Sequence, residues 1–392
     1  MNNELILSIV IPTKDREKYL VNILRNILSW KRNDFEVIIH DNSDSDDLEN
    51  LVEPYLTDDR VRYYHHKGWL SVVENFDLAI GYARGEVVTM IGDDDGILEE
   101  SLDVSNWMLN KDIDAVLPSR GIYTWPDLDG KYNNDYFKSK LRFKNSFSSA
   151  ISTRCPLDEL TNVLSVGGTS ILCLPRLYYG LVQRKILKRI KQKSNTFIPG
   201  PSPDMANAIS VALESSSFVT IDYPLFISGS CSKSTSGLGV KKKHVGKIEN
   251  VPHLPKDTKD HWEPKVPFFW SGPNIWSQSA LRAIDLLSQS QLKKKMNFSY
   301  LYSYNLVFNF SERKMVFDLF KRHSSFSEVL LVPLYIMKIF CLRAKFLLPK
   351  LKEKLLRKPS DQIVLSEVDS IDDAISEFVA YKEKNNIRLK LQ

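Results

Sequence analysis

The stretch Val87 to Leu98, VVTMIGDDDGIL, carries an apolar run straight into three consecutive aspartates and a glycine. An uninterrupted apolar run of this length reads as a β-strand buried on both faces, which is the habit of strands in parallel sheets. Three adjacent carboxylates repel one another and would all be ionised near neutral pH at ordinary pKa values. A buried strand that ends in such a cluster therefore calls for a positive partner close by.

The surrounding sequence supplies the rest of the pattern. LILSIVI, Leu5 to Ile11, is a second apolar run, and after it Leu20, Ile23, Leu24, Ile27 and Leu28 recur at helical spacing, with Asp15 placed to cap the helix. FEVIIHD, Phe35 to Asp41, is another strand and runs into the polar turn NSDSDD; VRYYHH is a third; VVENFDLAIGYA is a helix leading to the strand EVVTMI. Strand and helix thus alternate, which predicts an α/β fold with a mostly parallel sheet covered on both faces. Ligands of such sheets bind beyond the carboxyl ends of the strands. Thr13, Asp41 and the triplet Asp93, Asp94 and Asp95 all follow strand ends, so one rim of the sheet should collect them.

Composition bounds the function classes. The 392 residues are 43% hydrophobic with a formal charge of +5, enough for a sizeable core and too weakly basic to suggest nucleic acid as a partner. Cys155, Cys173, Cys231 and Cys341 lie far apart with no paired spacing, which suggests neither a zinc knuckle nor a disulfide framework. The first residues lack the features of a secretory signal, and no uncharged apolar run reaches the roughly 20 residues of a spanning helix. A cytoplasmic protein is expected. His65 and His66 read as a strand end rather than as metal ligands.

Downstream, DAVLPSR from Asp114 reads as a strand, Tyr123 to Phe137 as hairpins or loops, and the chain from Pro175 as helical, with a basic segment from Arg184. PSPDMANAISVALESS offers a helix start with Ser202 as N-cap and Pro203 in the first turn. FVTIDYPLFI is a strand, and the Ser/Gly-rich segment from Ser228 to Gly239, followed by Lys241, Lys242, Lys243 and His244, is a loop able to close over a ligand. The expected division is 1–240 as the catalytic domain, 241–274 as an irregular connection and 275–392 as a mainly helical, basic region, with a break at Lys358 to Asp361. Leu330 to Lys358 mixes apolar residues with Lys338, Arg343, Lys345, Lys350, Lys352, Lys354, Arg357 and Lys358; Pro333 and Pro349 interrupt it. It suits the interface of a membrane with anionic lipids.

Aspartates after a buried strand suit a hard divalent cation bridging a diphosphate, because Mg²⁺ and Mn²⁺ prefer oxygen ligands. Three blocks, LSIVIPTKDREKYLVNILRNIL, FEVIIHDNSDSD and YARGEVVTMIGDDDGIL, in this order and spacing, resemble the family 2 inverting glycosyltransferases of the GT-A fold. The resemblance covers roughly the first hundred residues well and continues weakly to about Gly237. It implies a GT-A-type nucleotide-diphospho-sugar transferase fold, here with a helical C-terminal extension. Residue by residue, it implies that Thr13 and Asp41 contact base and ribose, that Pro12 shapes the turn and that Arg16 meets phosphate or base. The triplet matches the family's D-x-D region and permits either Asp93-x-Asp95 or the pair Asp93 and Asp94; Asp95 is favoured as the metal ligand, with Asp93 shared between metal and ribose and Asp94 beside the nucleotide sugar. Asn75 and Gly68 match a further family segment whose middle Arg is missing here.

An inverting transfer needs a base on the acceptor side. In the family this is an acidic residue at the start of a downstream helix, and Asp204 resembles that position, with Asp158 and Asp222 as fallbacks. The helix N-terminus should stabilise the Asp204 carboxylate and weaken it as a base. The resemblance implies a UDP- or dTDP-sugar donor, Mn²⁺ or Mg²⁺, and a bacterial surface glycan acceptor such as an O-antigen or capsule unit on a polyprenyl diphosphate, worked on at the inner face of the membrane. A sugar nucleotidylyltransferase would carry glycine after the first strand, where IPTKDREKYL has none. A non-catalytic nucleotide-sugar-binding scaffold is the alternative from another class.

Overall fold

The computed structural model describes residues 5–128, 138–234, 245–356 and 361–391. The hairpin region beyond residue 128, most of the Ser/Gly-rich loop with the basic run Lys241 to His244, and the break at 357–360 lie outside them.

Four parallel strands form the half of the sheet that holds the rim: β1 (Leu7–Thr13), β2 (Phe35–Asp41), β3 (Val61–His65) and β4 (Val87–Met90), in the spatial order β3, β2, β1, β4. Residues 7 to 13 are all buried, and successive side chains join opposite cores: Leu7, Ile9 and Ile11 one, Val10 the other. Helix α1 (Glu17–Leu28) covers the first face through Tyr19, Leu20, Ile23, Leu24 and Ile27. It starts after Arg16, not after Asp15; Asp15 sits at φ +53° and its N–H donates to Ser43 Oγ at 2.8 Å, so it forms the turn and leaves the helix without a side-chain cap. Helix α2 (Asp47–Val52) follows β2, and α3 (Val72–Gly81) begins at Ser71 in a reciprocal bond with Glu74.

Beyond β4 the sheet turns mixed. The two-residue strand β5 (Gly96–Ile97) and helix α4 (Glu100–Asn110) lead into β6 (Ala115–Thr124), which pairs antiparallel with β7 (Lys140–Lys144); β8 (Ile151–Arg154) leads into α5 (Pro156–Ser165). The three-residue strand β9 (Leu181–Gln183) runs antiparallel between β4 and β6, where the sequence pattern predicted helix. Three residues are too few to show a period, and the flanking helix α6 (Arg184–Ser194) dominates the local signal. Helix α7 (Pro203–Glu214) starts at Ser202, whose N–H donates to Ser279 Oγ at 2.8 Å. Strand β10 (Phe218–Ser228) pairs parallel with β6 and shifts register around Pro224, which has no N–H to give the ladder.

The segment 245–271 is irregular with short 3₁₀ turns, and helices follow: α8 (Gly272–Leu286), α9 (Phe298–Phe308), α10 (Arg313–His323), α11 (Phe326–Leu330) and α12 (Val332–Leu356). The chain then returns to the sheet. Strand β11 (Gln362–Ser366) pairs with β7, and α13 (Ile371–Lys384) buries Ile371, Ala374, Ile375 and Phe378 in the core that α1 also covers. Lys382, 4% exposed, ties this end to α4 by an ion pair with Glu100; Tyr223 OH donates to the same carboxylate at 2.8 Å. Burial works against the Glu100 charge, and Lys382 more than offsets it, so the carboxyl sits below its usual range. No helix among the described residues is long and apolar enough to cross a membrane.

Candidate active site

The carboxyl ends of β1 and β4 open onto a cleft of about 760 Å³ lined by Pro12, Thr13, Arg16, Asn75, Asp93, Asp94 and Asp204. Seven of the nine residues singled out in the sequence thus share one cavity. Asp41 and Asp95, both fully buried, do not line it.

Asp41 stands at the end of β2, where its Oδ1 accepts from Ser43 N (2.8 Å) and Ser43 Oγ (2.6 Å) and its Oδ2 from Tyr63 OH (2.8 Å). The carboxylate shapes the turn that carries Asn42, and Asn42 lines the cleft. Burial, with Asp41 beside it, raises the Tyr63 hydroxyl pKa. Asn75 is 6% exposed and fastens the end of β1: its Nδ2 donates to Thr13 O at 3.1 Å, while its Oδ1 lies 2.5 Å from His40 Nδ1.

The aspartate triplet divides by direction. Asp95 Oδ1 accepts from Tyr179 OH (2.7 Å) and Gly229 N (2.7 Å), and its Oδ2 from Gly92 N (2.7 Å) and Tyr178 OH (3.1 Å). Four donors hold this carboxylate inside the protein, so it clamps the loop. Gly229 is pressed so closely on the loop that a Cβ there would fall 1.8 Å from Asp94 O, which no side chain permits. Trp125 Nε1 donates to that same carbonyl at 2.9 Å. Asp93 and Asp94 therefore project from a rigid backbone.

Thr13 Oγ1 donates to Asp93 Oδ2 at 2.6 Å. Arg16 is the positive partner that the triplet required: Nη1 lies 2.8 Å from Asp93 Oδ1 and Nη2 3.0 Å from Asp94 Oδ2. These are ion pairs, and neither oxygen, buried against the guanidinium, receives an aligned hydrogen bond. Burial pushes the Asp93 carboxyl above its usual range against the pull of Arg16; burial and the charge of Asp94 do the same for Asp95. Burial also opposes the Arg16 charge, which the two aspartates more than restore. Two adjacent buried carboxylates on a fixed loop lining the cleft, each with an oxygen that lacks an aligned hydrogen bond, are an oxygen donor set that fits a hard divalent cation, with Arg16 as the charge such an ion would compete with.

Asp204, in the first turn of α7, is partly exposed to the cleft, and Arg120 in the middle of β6 and Arg176 line the same cavity. Burial raises the Asp204 carboxyl although both arginines pull it down. Arg176 is lowered to about 10 by burial and by Arg120, with Asp204 opposing. Asp158 is exposed on α5, and Asp222 is held by Lys144 at 2.8 Å and by Ser148; neither fallback lines the cleft.

Sequence reasoning missed the far wall. His253, Leu254, Trp270, Ile275 and Trp276 close the cleft, so the segment taken as a connection is part of the cavity. It is fastened to the nucleotide side: Val72 N donates to His253 O (2.9 Å) and Trp69 Nε1 to Pro252 O (3.2 Å). Its Trp content was the available signal. Arg120 closes the run DAVLPSR, but β6 continues to Thr124, so the strand-end rule that found Thr13 does not reach this mid-strand residue. Of the predicted closing loop, Ser228, Gly229 and Ser234 line the cleft and residues 235–244 lie outside the described residues.

Residues 8–156, which span β1 to the start of α5 and include the aspartate triplet, match the family model Glycosyl transferase family 2. The chain carries a family 2 glycosyltransferase domain. Its sheet, with the aspartate triplet just after β4, is the GT-A-type arrangement. Among curated proteins, this domain is similar to Glycosyltransferase GlyG of Streptococcus pneumoniae serotype 4, 26% identical over 129 residues, which is 32% of this chain and 42% of that protein. It is similar also to the GalNAc(5)-diNAcBac-PP-undecaprenol beta-1,3-glucosyltransferase of Campylobacter jejuni, 31% identical over 98 residues, 24% of this chain and 32% of that one. The similarity thus spans less than half the length of either relative. Among solved structures, S. aureus TarS 1-349 in complex with UDP-GlcNAc superposes with a TM-score of 0.47 at 13% identity, covering 82% of this chain and 77% of that chain.

Proposed function

We propose that this glycosyltransferase domain moves a sugar from a nucleoside diphosphate sugar to a hydroxyl of a glycan acceptor, with inversion, in the synthesis of a bacterial surface polysaccharide. The observation that carries the proposal is the sharing of one cleft by Thr13, Asp93, Asp94 and Asp204. Asp93 and Asp94 would hold Mn²⁺ or Mg²⁺, which when bound neutralises the diphosphate and eases its departure. Asp95, Gly229 and Trp125 keep that pair aimed. Thr13, Arg16 and Asn42 border the nucleotide, and UDP- and dTDP-sugars are the favoured donors. Asp204 takes the proton of the acceptor hydroxyl as its oxygen bonds to the anomeric carbon and the nucleoside diphosphate leaves from the opposite face. Trp270 and Trp276 offer apolar surface to the sugar faces and keep water out.

The test is thermal stability against a panel of nucleotide sugars with and without Mn²⁺, followed by the anomeric configuration of any product. A cognate donor at 100 times its dissociation constant adds about 2.7 kcal/mol. Metal-dependent stabilisation by one donor and an inverted product are expected. Stabilisation without transfer to any acceptor would move the protein to the scaffold class, and no stabilisation by any donor would remove the reading.

The acceptor side has its own support. Helices α10 to α12 with the turns around them expose Phe310, Phe317, Phe326, Leu330, Leu334, Met337 and Phe340, Phe326 at 80%, beside Arg313, Lys314, Lys321, Arg322, Lys338 and Arg343. Apolar surface bordered by cations fits an anionic lipid interface, and the Campylobacter relative is named for an undecaprenol-linked acceptor. These features support a protein bound peripherally at the inner face of the membrane, near a polyprenyl-diphosphate-linked glycan. In flotation with vesicles the chain should rise with those containing phosphatidylglycerol and not with neutral ones, and a Phe326→Glu, Leu330→Glu variant should stay at the bottom. Equal behaviour of parent and variant would remove this part of the reading.

A further inference from the structure

Outside the cleft, on the other side of the turn after β2, three ligand-type side chains converge. His65 closes β3, opposite Asp41 in the β2 register. Asp46 precedes α2 and Glu49 lies in its first turn, three residues on and therefore on the same helix face. Asp46 occupies the capping position without making a capping bond, so its carboxylate is not engaged by the helix. None of the three lines the cleft.

The imidazole decides what this corner can do. His65 Nε2 lies 2.9 Å from Ser43 O, and a carbonyl only accepts, so Nε2 carries a proton. The neutral ring then presents a bare lone pair at Nδ1. That atom is buried, in a side chain only 7% exposed, and receives no hydrogen bond. It faces Asp46 Oδ1 at 3.4 Å and Glu49 Oε2 at 3.6 Å. The ligand atoms of all three residues lie within 4.8 Å of one another. Such separations are long for a hydrogen bond, but a tetrahedral ion with bonds of about 2.0–2.1 Å sets its ligand atoms roughly 3.3–3.5 Å apart. Donation from the other ring nitrogen to a backbone carbonyl is also the bond that orients a metal-bound imidazole.

We propose that His65 Nδ1, Asp46 and Glu49 form a second metal site, for a zinc-type divalent ion, distinct from the aspartate pair of the cleft. One nitrogen and two carboxylate ligands favour Zn²⁺ or Co²⁺ over Mg²⁺, which prefers oxygen alone. The Lys67 ammonium stands 3.0 Å from Asp46 Oδ1 and is the cation the metal displaces; its side chain is 70% exposed, so it swings into water without losing packing. The ion would stiffen the turn that serves the cleft, because Ser43 also donates to Asp41 from N and Oγ and accepts from Asp15 N.

The test uses the full chain carrying Asp93→Asn and Asp94→Asn to silence the cleft, stripped of metal and titrated with ZnCl₂ by calorimetry. One Zn²⁺ per chain is expected, with a rise in melting temperature, and Co²⁺ should give the visible absorption of a tetrahedral site. His65→Ala and Glu49→Gln should each weaken Zn²⁺ at least tenfold. Glu49 is on the surface, so its Gln variant keeps the test sound if loss of His65 unsettles the strand end. No Zn²⁺ uptake, or uptake unchanged by Glu49→Gln, would overturn the site and leave an imidazolium paired with two carboxylates.

Discussion

Asp94→Asn is expected to lower kcat by at least about 10³-fold with only a small change in melting temperature, because relief of carboxylate repulsion offsets the lost pairing with Arg16. The side chain lines the cleft and its charge opposes those of Asp93 and Asp95, while its Oδ2 pairs with Arg16 Nη2 at 3.0 Å, so removing the charge relieves repulsion and loses an ion pair together. Asp95→Ala is expected to cost much more stability. It strands the buried N–H groups of Gly92 and Gly229, at about 1–3 kcal/mol each, and frees two tyrosine hydroxyls. Its melting temperature should fall by several degrees, and activity should follow because the loop loses its clamp. Parallel activity assays and thermal melts separate the two roles. A melting temperature for Asp95→Ala equal to the parent's, with metal affinity lost, would return Asp95 to the metal.

Asp204→Asn should reduce kcat by about 10²–10⁴-fold with little change in donor KM, the range expected for loss of a general base. Its folded pKa is raised, so the ionised side chain costs stability above that pKa and costs nothing below the unfolded value. The Asn variant should therefore melt no lower than the parent at neutral pH. The same shift fixes the acid limb of kcat/KM, which lies above the ordinary carboxylate range because burial dominates. Arg176 and Arg120 are the charged groups that pull it back. Arg176→Gln removes one of them and should move the limb to higher pH. A pH profile unmoved by Arg176→Gln, or an Asp204→Asn variant with near-parental kcat, would sink the assignment.

Much of this was legible in one dimension. The apolar runs of β1, β2 and β4 and the 3.6-residue spacing of α1 are local records of burial, and the strand-end rule gathered Thr13, Asp93 and Asp94 from order alone. The first turn of α7 was readable from Ser202 and Pro203, which put Asp204 at a helix start. What failed to show were elements too short for a period, such as β9, and β11, whose partner β7 lies over two hundred residues earlier in the chain.

The sequence by itself determined that aspartates would crowd a strand end and need a cation, because charge and hydrophobicity belong to the residues themselves. Only the tertiary structure decided which aspartates face the cavity. Gly229 and Tyr179 arrive from β10 and from the approach to β9 to turn Asp95 inward, and Ser43 and Tyr63 do the same for Asp41. The direction of a carboxylate is set by the donors that reach it, and donors from distant segments leave no trace in the neighbouring sequence. The aromatic wall at Trp270 and Trp276 has the same origin: a segment without its own periodicity gained its place from the elements it packs against.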